Sequence, residues 1–178
     1  SGIRVLDFGR YIAGPYCATI LSDFGAEVIR IEKLDGSEDR YITPMTEDQS
    51  GDGAMIMQMG QNKKGLTLNP MKPEGRDVVK RLVKTADVVV ANLPIETLEA
   101  MGLDYDSLKA MSGVMYMTGD NGEPRKLFGP WVDYTTAMMS ALGTMAALRH
   151  RDMTGEGQLV TTSLFGSYTI TNGITETS

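Results

Sequence analysis

The chain has 178 residues, of which 42% are hydrophobic and 22% charged, a balance that predicts one globular domain with enough apolar material for a core. Its formal net charge of -6 disfavours nucleic acid as a partner, because nucleic-acid-binding proteins normally present a basic face. The single cysteine, Cys17, excludes an internal disulfide, and no apolar run approaches the ~18 residues of a membrane span, so we predict a cytoplasmic protein without a membrane partner.

The N-terminal third predicts a strand, a helix and a second strand. Ile3–Phe8 is a short apolar run that ends at Gly9, and Gly14-Pro15 then opens a helix with Gly25 as its C-terminal cap. Glu27–Glu32 follows at once as a strand. Such a unit within about 30 residues predicts a parallel pair of strands joined by a crossover helix.

The same alternation continues along the chain. We predict strands at Leu66–Leu68, Asp87–Ala91 and Gln158–Leu164. We predict four helices: one at Ala54–Met59, one that begins at Glu74, a short one that ends at Met101, and one at Tyr105–Met111. The pattern indicates an α/β fold with an open, mostly parallel, Rossmann-like sheet and helices on both faces. Ligands of such sheets bind beyond the carboxyl ends of the strands. Those ends here are Gly9-Arg10-Tyr11, Lys33-Leu34, Asn69-Pro70 and Asn92-Leu93.

The longest helical pattern begins at Asp133, after a turn with Gly129 and Pro130, and leaves through the glycine-rich Thr154–Gly157. Apolar residues at helical spacing and small residues on the other face predict that this helix is buried on most sides. Asp133 has two interpretations. It is a preferred N-cap residue, and it is also suited to be a carboxylate nucleophile, because a helix N-terminus favours the ionised form that attacks.

Other candidate sites have weaker support. The first turn lacks the G-x-G-x-x-G spacing of a dinucleotide site, although Glu32 ends the second strand as a ribose-binding acid would. One histidine, His150, and one cysteine do not predict a zinc site, so we expect no metal. Lys63-Lys64 is interpreted as a solvated turn, with a phosphate contact as the open alternative.

Four segments resemble the class III coenzyme A transferases, the family that includes formyl-CoA transferase, carnitine-CoA transferase and α-methylacyl-CoA racemase. They are Gly2–Phe8 with Ala13–Pro15 and Asp23–Glu32; Asn62–Lys64 with Leu66–Leu68 and Pro73–Arg76; Ala86–Val90 with Asn92 and Leu98–Gly102; and Val132–Tyr134 with Ala146–Leu148, Arg151 and Thr154–Gln158. They occur in family order across nearly the whole chain, and their combination is specific.

The resemblance implies that the protein moves coenzyme A from an acyl-CoA to a carboxylic acid acceptor, as an interlocked homodimer. Asp133 aligns with the catalytic aspartate, which would pass through anhydride and aspartyl-CoA thioester intermediates. The positions that correspond to CoA contacts are Arg10, Ile12, Ala13, Lys33, Leu68, Asn69, Pro70, Met71, Asn92 and Leu93. They fall on the strand ends at which the fold argument independently expects a ligand.

The chain also departs from the family pattern. Ala100 stands where an arginine often meets the CoA phosphates, and Met111 joins Ser112 directly where the family has a further strand, loop and helix. Residues 1–178 are therefore expected to be the N-terminal CoA-binding domain, shortened after Met111 and truncated at the C-terminus, an incomplete version of the fold. Loss of a central strand would leave sheet edges open and apolar surface exposed. Two alternatives remain: an acyl-CoA racemase or isomerase, whose histidine would lie in the absent stretch, and an inactive CoA-binding fragment.

Overall fold

The computed structural model describes residues 2–42, 53–103, 115–120 and 131–164. The predicted helix Tyr105–Met111, the junction of Met111 with Ser112 and the turn at Gly129-Pro130 lie outside these ranges.

One open sheet of six strands organises the described residues, and each neighbouring pair of strands is parallel. The strands are Arg4–Asp7 (β1), Glu27–Glu32 (β2), Lys63–Thr67 (β3), Val88–Val90 (β4), Met115–Asp120 (β5) and Leu159–Ser163 (β6). Their order in the sheet is β3-β2-β1-β4-β5-β6. This arrangement confirms the predicted open α/β sheet.

The helices are Ala13–Asp23 (α1), Ala54–Met59 (α2), Pro73–Val83 (α3), Ile95–Met101 (α4) and Trp131–Thr154 (α5), and a 3-10 turn spans Glu38–Tyr41. Helices cover both faces of the sheet, because side chains along a buried strand alternate between its faces. Val5 of β1 joins the core cluster under α1 and α5, whereas its neighbour Leu6 joins the cluster under α3 and α4. None of the described helices is long and apolar enough to cross a bilayer.

Two strands differ from their prediction. β3 begins at Lys63, three residues before the predicted start, so the basic pair Lys63-Lys64 lies in the strand and not in a turn. β5 was not predicted, although its apolar start at Met115–Met117 is a strand signal. Because β5 pairs with both β4 and β6, no gap opens at the place where the shortened sequence predicts a missing central strand.

The prediction that α5 is buried on most sides is wrong. Its small residues face the core, with Ala137 and Thr144 fully buried, whereas Met138 and Leu142 are 55% and 56% exposed. A Cβ atom on Gly143 would lie only 2.7 Å from Val160 Cγ1 of β6. The small side chains let the helix backbone approach the sheet, and this close approach turns the larger apolar side chains outward.

Candidate active site

The crevice between β1 and β4 is the position at which this fold binds ligands. On one side of β1 the sheet extends through β2 to β3, and on the other side it extends from β4 through β5 to β6. At such a switch point the loops beyond the two strands diverge and leave a cleft. The loop after β1, residues 8–12, and the turn after β4, residues 91–94, follow the carboxyl ends of these two strands.

The side chain of Asn92 clamps the first of these loops. Its Oδ1 accepts a hydrogen bond from the Arg10 backbone N at 2.7 Å, and its Nδ2 donates to the Arg10 backbone O at 2.9 Å. A Cβ atom on Gly14 would lie 2.9 Å from Asn92 Oδ1, so glycine is needed for this approach. The next residue, Tyr11, has a φ of 59°, which costs a non-glycine residue conformational energy. Asn92 thus holds a loop with an unfavourable backbone geometry.

Arg10 supplies positive charge at the same edge. Its Nη1 donates to the backbone oxygens of Phe8, Gly9 and Ile31, at 3.2, 2.9 and 3.5 Å, which are the carbonyls at the carboxyl ends of β1 and β2. The guanidinium therefore lies across the strand ends, where an anionic ligand would meet the sheet.

A buried carboxylate, Asp7, lies beneath the loop. Its Oδ1 accepts from the Gly9 backbone N at 2.8 Å, and its Oδ2 pairs with Lys63 Nζ at 2.8 Å and with Arg30 Nη1 at 3.4 Å. Burial alone would raise the pKa of Asp7, but the two cations hold that pKa below its usual value. Burial also lowers the pKa of Lys63, and the attraction of Asp7 offsets this only in part.

The ionic network extends from Arg30 to the turn after β2. Arg30 Nε pairs with Glu32 at 2.8 Å and its Nη2 with Asp39 at 2.5 Å, while Arg40 Nε pairs with Glu32 at 2.6 Å. Burial opposes the charge of Arg30, but Asp7, Asp39 and Glu32 raise its pKa. Burial would likewise raise the pKa of Glu32, but Arg40 and Arg30 hold it below its usual value. Because Glu32 is buried between two arginines, it is not placed to receive a ribose.

The remaining predicted contact residues divide by exposure. Ile12, Ala13 and Pro70 are buried, Leu68 and Leu93 are half-buried against the core, and Asn69 and Met71 are exposed. Lys33 is exposed and pairs with Glu38. All of these residues follow the carboxyl ends of β1, β2, β3 or β4, so the structure brings the predicted set to one edge of the sheet.

Asp133 belongs to the same edge. Arg151, near the end of α5, pairs with Asp87 at 2.6 Å, and Asp87 directly precedes β4 at the amino edge of the sheet. Because α5 spans about 36 Å at 1.5 Å per residue, its first turn lies at the opposite, carboxyl edge. The contact of Tyr134 with Tyr16, in the first turns of α1, agrees with this placement.

The local environment of Asp133 differs from the predicted cap. The helix begins at Trp131, so Asp133 is its third residue and lies in the first turn instead of at the N-cap. The side chain is half-buried. Burial raises the pKa of Asp133, and a hydrogen bond from its own backbone amide lowers it in part. The carboxyl group is therefore a stronger base than a solvated aspartate. The cap interpretation expected the environment of Asp133 to favour the ionised form, but its raised pKa shows the opposite direction.

Sequence reasoning missed the buried network and the role of Asn92 as a clamp. The available signal was the polar spacing of β2, in which Arg30 and Glu32 alternate with apolar residues although the strand is buried. Among the described residues, no group of three or more acidic, cysteine or histidine side chains could hold a metal ion.

The sequence model of CoA-transferase family III matches residues 1–110 and 107–174. The chain belongs to CoA-transferase family III. Among the relatives of this family III chain is a succinyl-CoA:mesaconate CoA-transferase from Haloarcula marismortui, which is 32% identical over 93% of the chain and 51% of its own length. A succinate–glutarate CoA-transferase from Agrobacterium fabrum is also 32% identical, over 92% of the chain and 50% of its own length.

Solved structures agree with the fold of this family III chain. A CAIB/BAIF family protein from Brucella suis superimposes with a TM-score of 0.85 at 28% identity, over 94% of the chain and 53% of its own length. A protein from Mycobacterium tuberculosis superimposes with a TM-score of 0.85 at 24% identity, over the whole chain and 59% of its own length, and supports the fold alone. The chain spans about half the length of the curated relatives it matches.

Proposed function

We propose that this family III chain takes part in moving coenzyme A between carboxylic acids, with Asp133 as the nucleophile. The observation that carries the proposal is that the first turn of α5 and the switch-point loops share one edge of the sheet. A thioester whose nucleotide end lies over the loops after β1 and β4 would therefore extend towards the half-buried carboxyl group of Asp133.

The proposed route consists of four acyl transfers. The Asp133 carboxylate attacks the thioester carbonyl, the C–S bond breaks, and a mixed anhydride forms with release of the CoA thiolate. The thiolate attacks the aspartyl carbonyl of this anhydride, which releases the donor acid and leaves an aspartyl-CoA thioester. The acceptor carboxylate then attacks the carbonyl of the aspartyl thioester, the C–S bond breaks, and a second anhydride forms with release of the CoA thiolate. The thiolate finally takes the acceptor acyl group and frees Asp133.

The environment of Asp133 suits this route in two respects. A raised pKa makes the carboxylate a better nucleophile, provided that the pH keeps it ionised. Partial burial also limits the access of water, which would hydrolyse an anhydride. Rate is therefore expected to rise with pH through the raised pKa of Asp133 and to level off once the carboxylate is fully ionised.

We also propose that the contact set Arg10, Ile12, Ala13, Lys33, Leu68, Asn69, Pro70, Met71, Asn92 and Leu93 surrounds the bound coenzyme A, some of it through backbone atoms, and that the active form is a homodimer. Arg10 and Lys33 would supply positive charge to the phosphates of the ligand. Light scattering would test the dimer.

We further propose that the chain is shortened near Met111. The family model matches two separate segments, which overlap at residues 107–110, and this supports the proposed shortening.

The test traps the covalent intermediate. The chain is incubated with succinyl-CoA, the donor named for the Haloarcula relative, and then with hydroxylamine, and Asp133 is located by peptide mass spectrometry. A hydroxamate on Asp133 that is absent from the Asp133→Asn variant supports the proposal. Transfer activity without any hydroxamate would contradict the covalent route. Binding of CoA by calorimetry, without transfer to any carboxylic acid supplied, would identify a CoA-binding fragment instead.

A further inference from the structure

Lys63 and Lys64 are neighbours on β3 with opposite environments. Successive side chains of a strand point to opposite faces, so Lys63 turns towards α1 and Lys64 towards the other face. The Lys63 side chain is only 2% exposed, whereas that of Lys64 is 71% exposed and pairs with Glu27 at 2.5 Å. Of these two adjacent lysines, one is therefore buried and the other lies at the surface.

The buried lysine connects the start of the loop after β1 with the first turn of α1. Lys63 Nζ donates to the Pro15 backbone O at 2.7 Å and to Asp7 Oδ2 at 2.8 Å, and Asp7 Oδ1 accepts from the Gly9 backbone N at 2.8 Å. Gly9 lies at the start of the loop after β1, residues 8–12, and Pro15 lies in the first turn of α1. The two are tightly packed, because a Cβ atom on Gly9 would lie 2.6 Å from Pro15 Cδ. One ion pair therefore fixes where the loop leaves β1 and where it enters α1.

Stability alone does not account for this ion pair. Removing a lysine and an aspartate from water carries a desolvation cost that their attraction often fails to exceed, and apolar residues of similar volume frequently serve stability equally well. What apolar residues lack is directed hydrogen bonds to the Gly9 amide and the Pro15 carbonyl. The pair is therefore best explained by the loop geometry that it specifies.

We propose that the buried Asp7–Lys63 pair is a positioning device that holds the loop after β1, residues 8–12, in the conformation that binds coenzyme A. This inference rests on the proposed function. Lys63 acts through the loop and does not contact the ligand phosphates, because its side chain is buried and two of its three N–H donors already serve Asp7 and Pro15. The phosphate contact considered for Lys63 from the sequence is thereby replaced by an indirect role.

Calorimetric titration with CoA tests the inference on the whole chain, and Lys64→Met is the matched control. We expect Lys63→Met to weaken the Kd for CoA by about 10-fold to 100-fold, since displacement of a binding loop by ~1 Å has effects of this size. Lys64→Met, which removes an exposed ion pair on the opposite face, should bind within about twofold of the unsubstituted chain.

A kinetic comparison separates positioning from a general loss of folded protein. A smaller folded fraction lowers the apparent kcat and leaves KM unchanged, whereas a displaced binding loop raises the KM for acyl-CoA. If Lys63→Met folds poorly, Asp7→Asn combined with Lys63→Met provides a second variant. It leaves neither partner of the pair charged and retains an Oδ1 acceptor for the Gly9 amide, so it should bind CoA more tightly than Lys63→Met.

The outcomes distinguish the two proposals. Equal CoA affinity in Lys63→Met and the unsubstituted chain, or a defect in kcat alone, would overturn the positioning role and leave the proposed function intact. Failure of the unsubstituted chain to bind CoA would overturn the proposed function, and this inference with it.

Discussion

Tyr16 of α1 and Tyr134 of α5 meet edge to face, with their ring centroids 4.9 Å apart and their planes at 89°. Aromatic rings prefer this arrangement because the positive edge of one ring faces the negative face of the other. Tyr16 lies in the first turn of α1, which follows the loop after β1, and Tyr134 follows Asp133. The contact therefore joins the proposed ligand-binding loop to the proposed nucleophile.

A double-mutant cycle should detect this coupling. Tyr16→Leu and Tyr134→Leu are each expected to be destabilising, and their coupling free energy should be about 1 kcal/mol in urea unfolding. Tyr134→Phe is the control, since it keeps the ring and removes only the hydrogen bond from the hydroxyl to Gln58 Oε1 at 3.2 Å. A coupling energy near zero would show that the rings contribute independently.

Asn92→Ala should loosen the loop after β1. The substitution removes both hydrogen bonds to the Arg10 backbone, and we expect a loss of about 2 kcal/mol in the free energy of unfolding. Asn69→Ala is the matched control, because the Asn69 side chain accepts a single exposed hydrogen bond from the Met71 amide. Equal losses in the two variants would contradict the clamp. Asn92→Asp retains the acceptor but not the donor, so an intermediate loss is expected.

Asp133→Asn should leave the chain as stable as before, or stabilise it, at pH 7. A carboxyl group whose pKa is raised on folding opposes folding when it is ionised, and this penalty disappears as the pH falls through the folded-state pKa. The neutral amide avoids the penalty at every pH. Thermal unfolding of both proteins between pH 4 and pH 8 checks the expectation. A much lower Tm of Asp133→Asn at pH 7 would show that the side chain has a structural role.

The strand and helix pattern was predictable because it depends on local periodicity. Val88–Val90 has the continuous apolar character of a strand covered on both faces, and all three residues are fully buried. Gly102 ends α4 with a φ of 69°, as its place after Met101 suggests. The carboxyl-edge location of the candidate site followed from the same alternation.

Features that depend on distant contacts were not predictable in the same way. Lys63 has an ordinary surface sequence context, and its burial follows from pairing with Asp7, which lies 56 residues earlier. The orientation of α5 was misjudged because both of its faces carry apolar residues. Only contact with α1 and β6 decides that the small face, with Ser140 and Thr144, is the buried one.

Gly75→Ala should disturb the turn that precedes α3. A Cβ atom on Gly75 would overlap the carbonyl oxygen of Asn69, so the turn at Asn69-Pro70 would have to move. We expect a loss of about 1–3 kcal/mol and a weaker Kd for CoA, because this turn lies in the predicted contact set. Gly65→Ala provides the control, since no atom lies within 4 Å of its Cβ position. Equal Tm values for the two variants would contradict the close packing.

The buried network should govern stability in acid. Because the pKa of Glu32 is lowered on folding, its contribution is fully present above its unfolded value of ~4.3 and is lost as the pH falls through the folded-state pKa. Asp7 behaves in the same way, with an unfolded value of ~3.9. The Tm of the unsubstituted chain should therefore change little between pH 7 and about pH 5 and fall steeply below about pH 4.

Glu32→Gln tests the assignment of this transition to the network. The variant removes the buried negative charge that pairs with Arg30 and Arg40, so we expect a loss of about 3 kcal/mol at pH 7. The difference from the unsubstituted chain should narrow as the pH falls through the lowered folded-state pKa of Glu32. Glu27→Gln is the control, because Glu27 pairs with Arg4 and Lys64 at the surface, where water and salt screen the charges. A difference for Glu32→Gln that stays constant down to pH 3 would place the acid transition elsewhere in the protein.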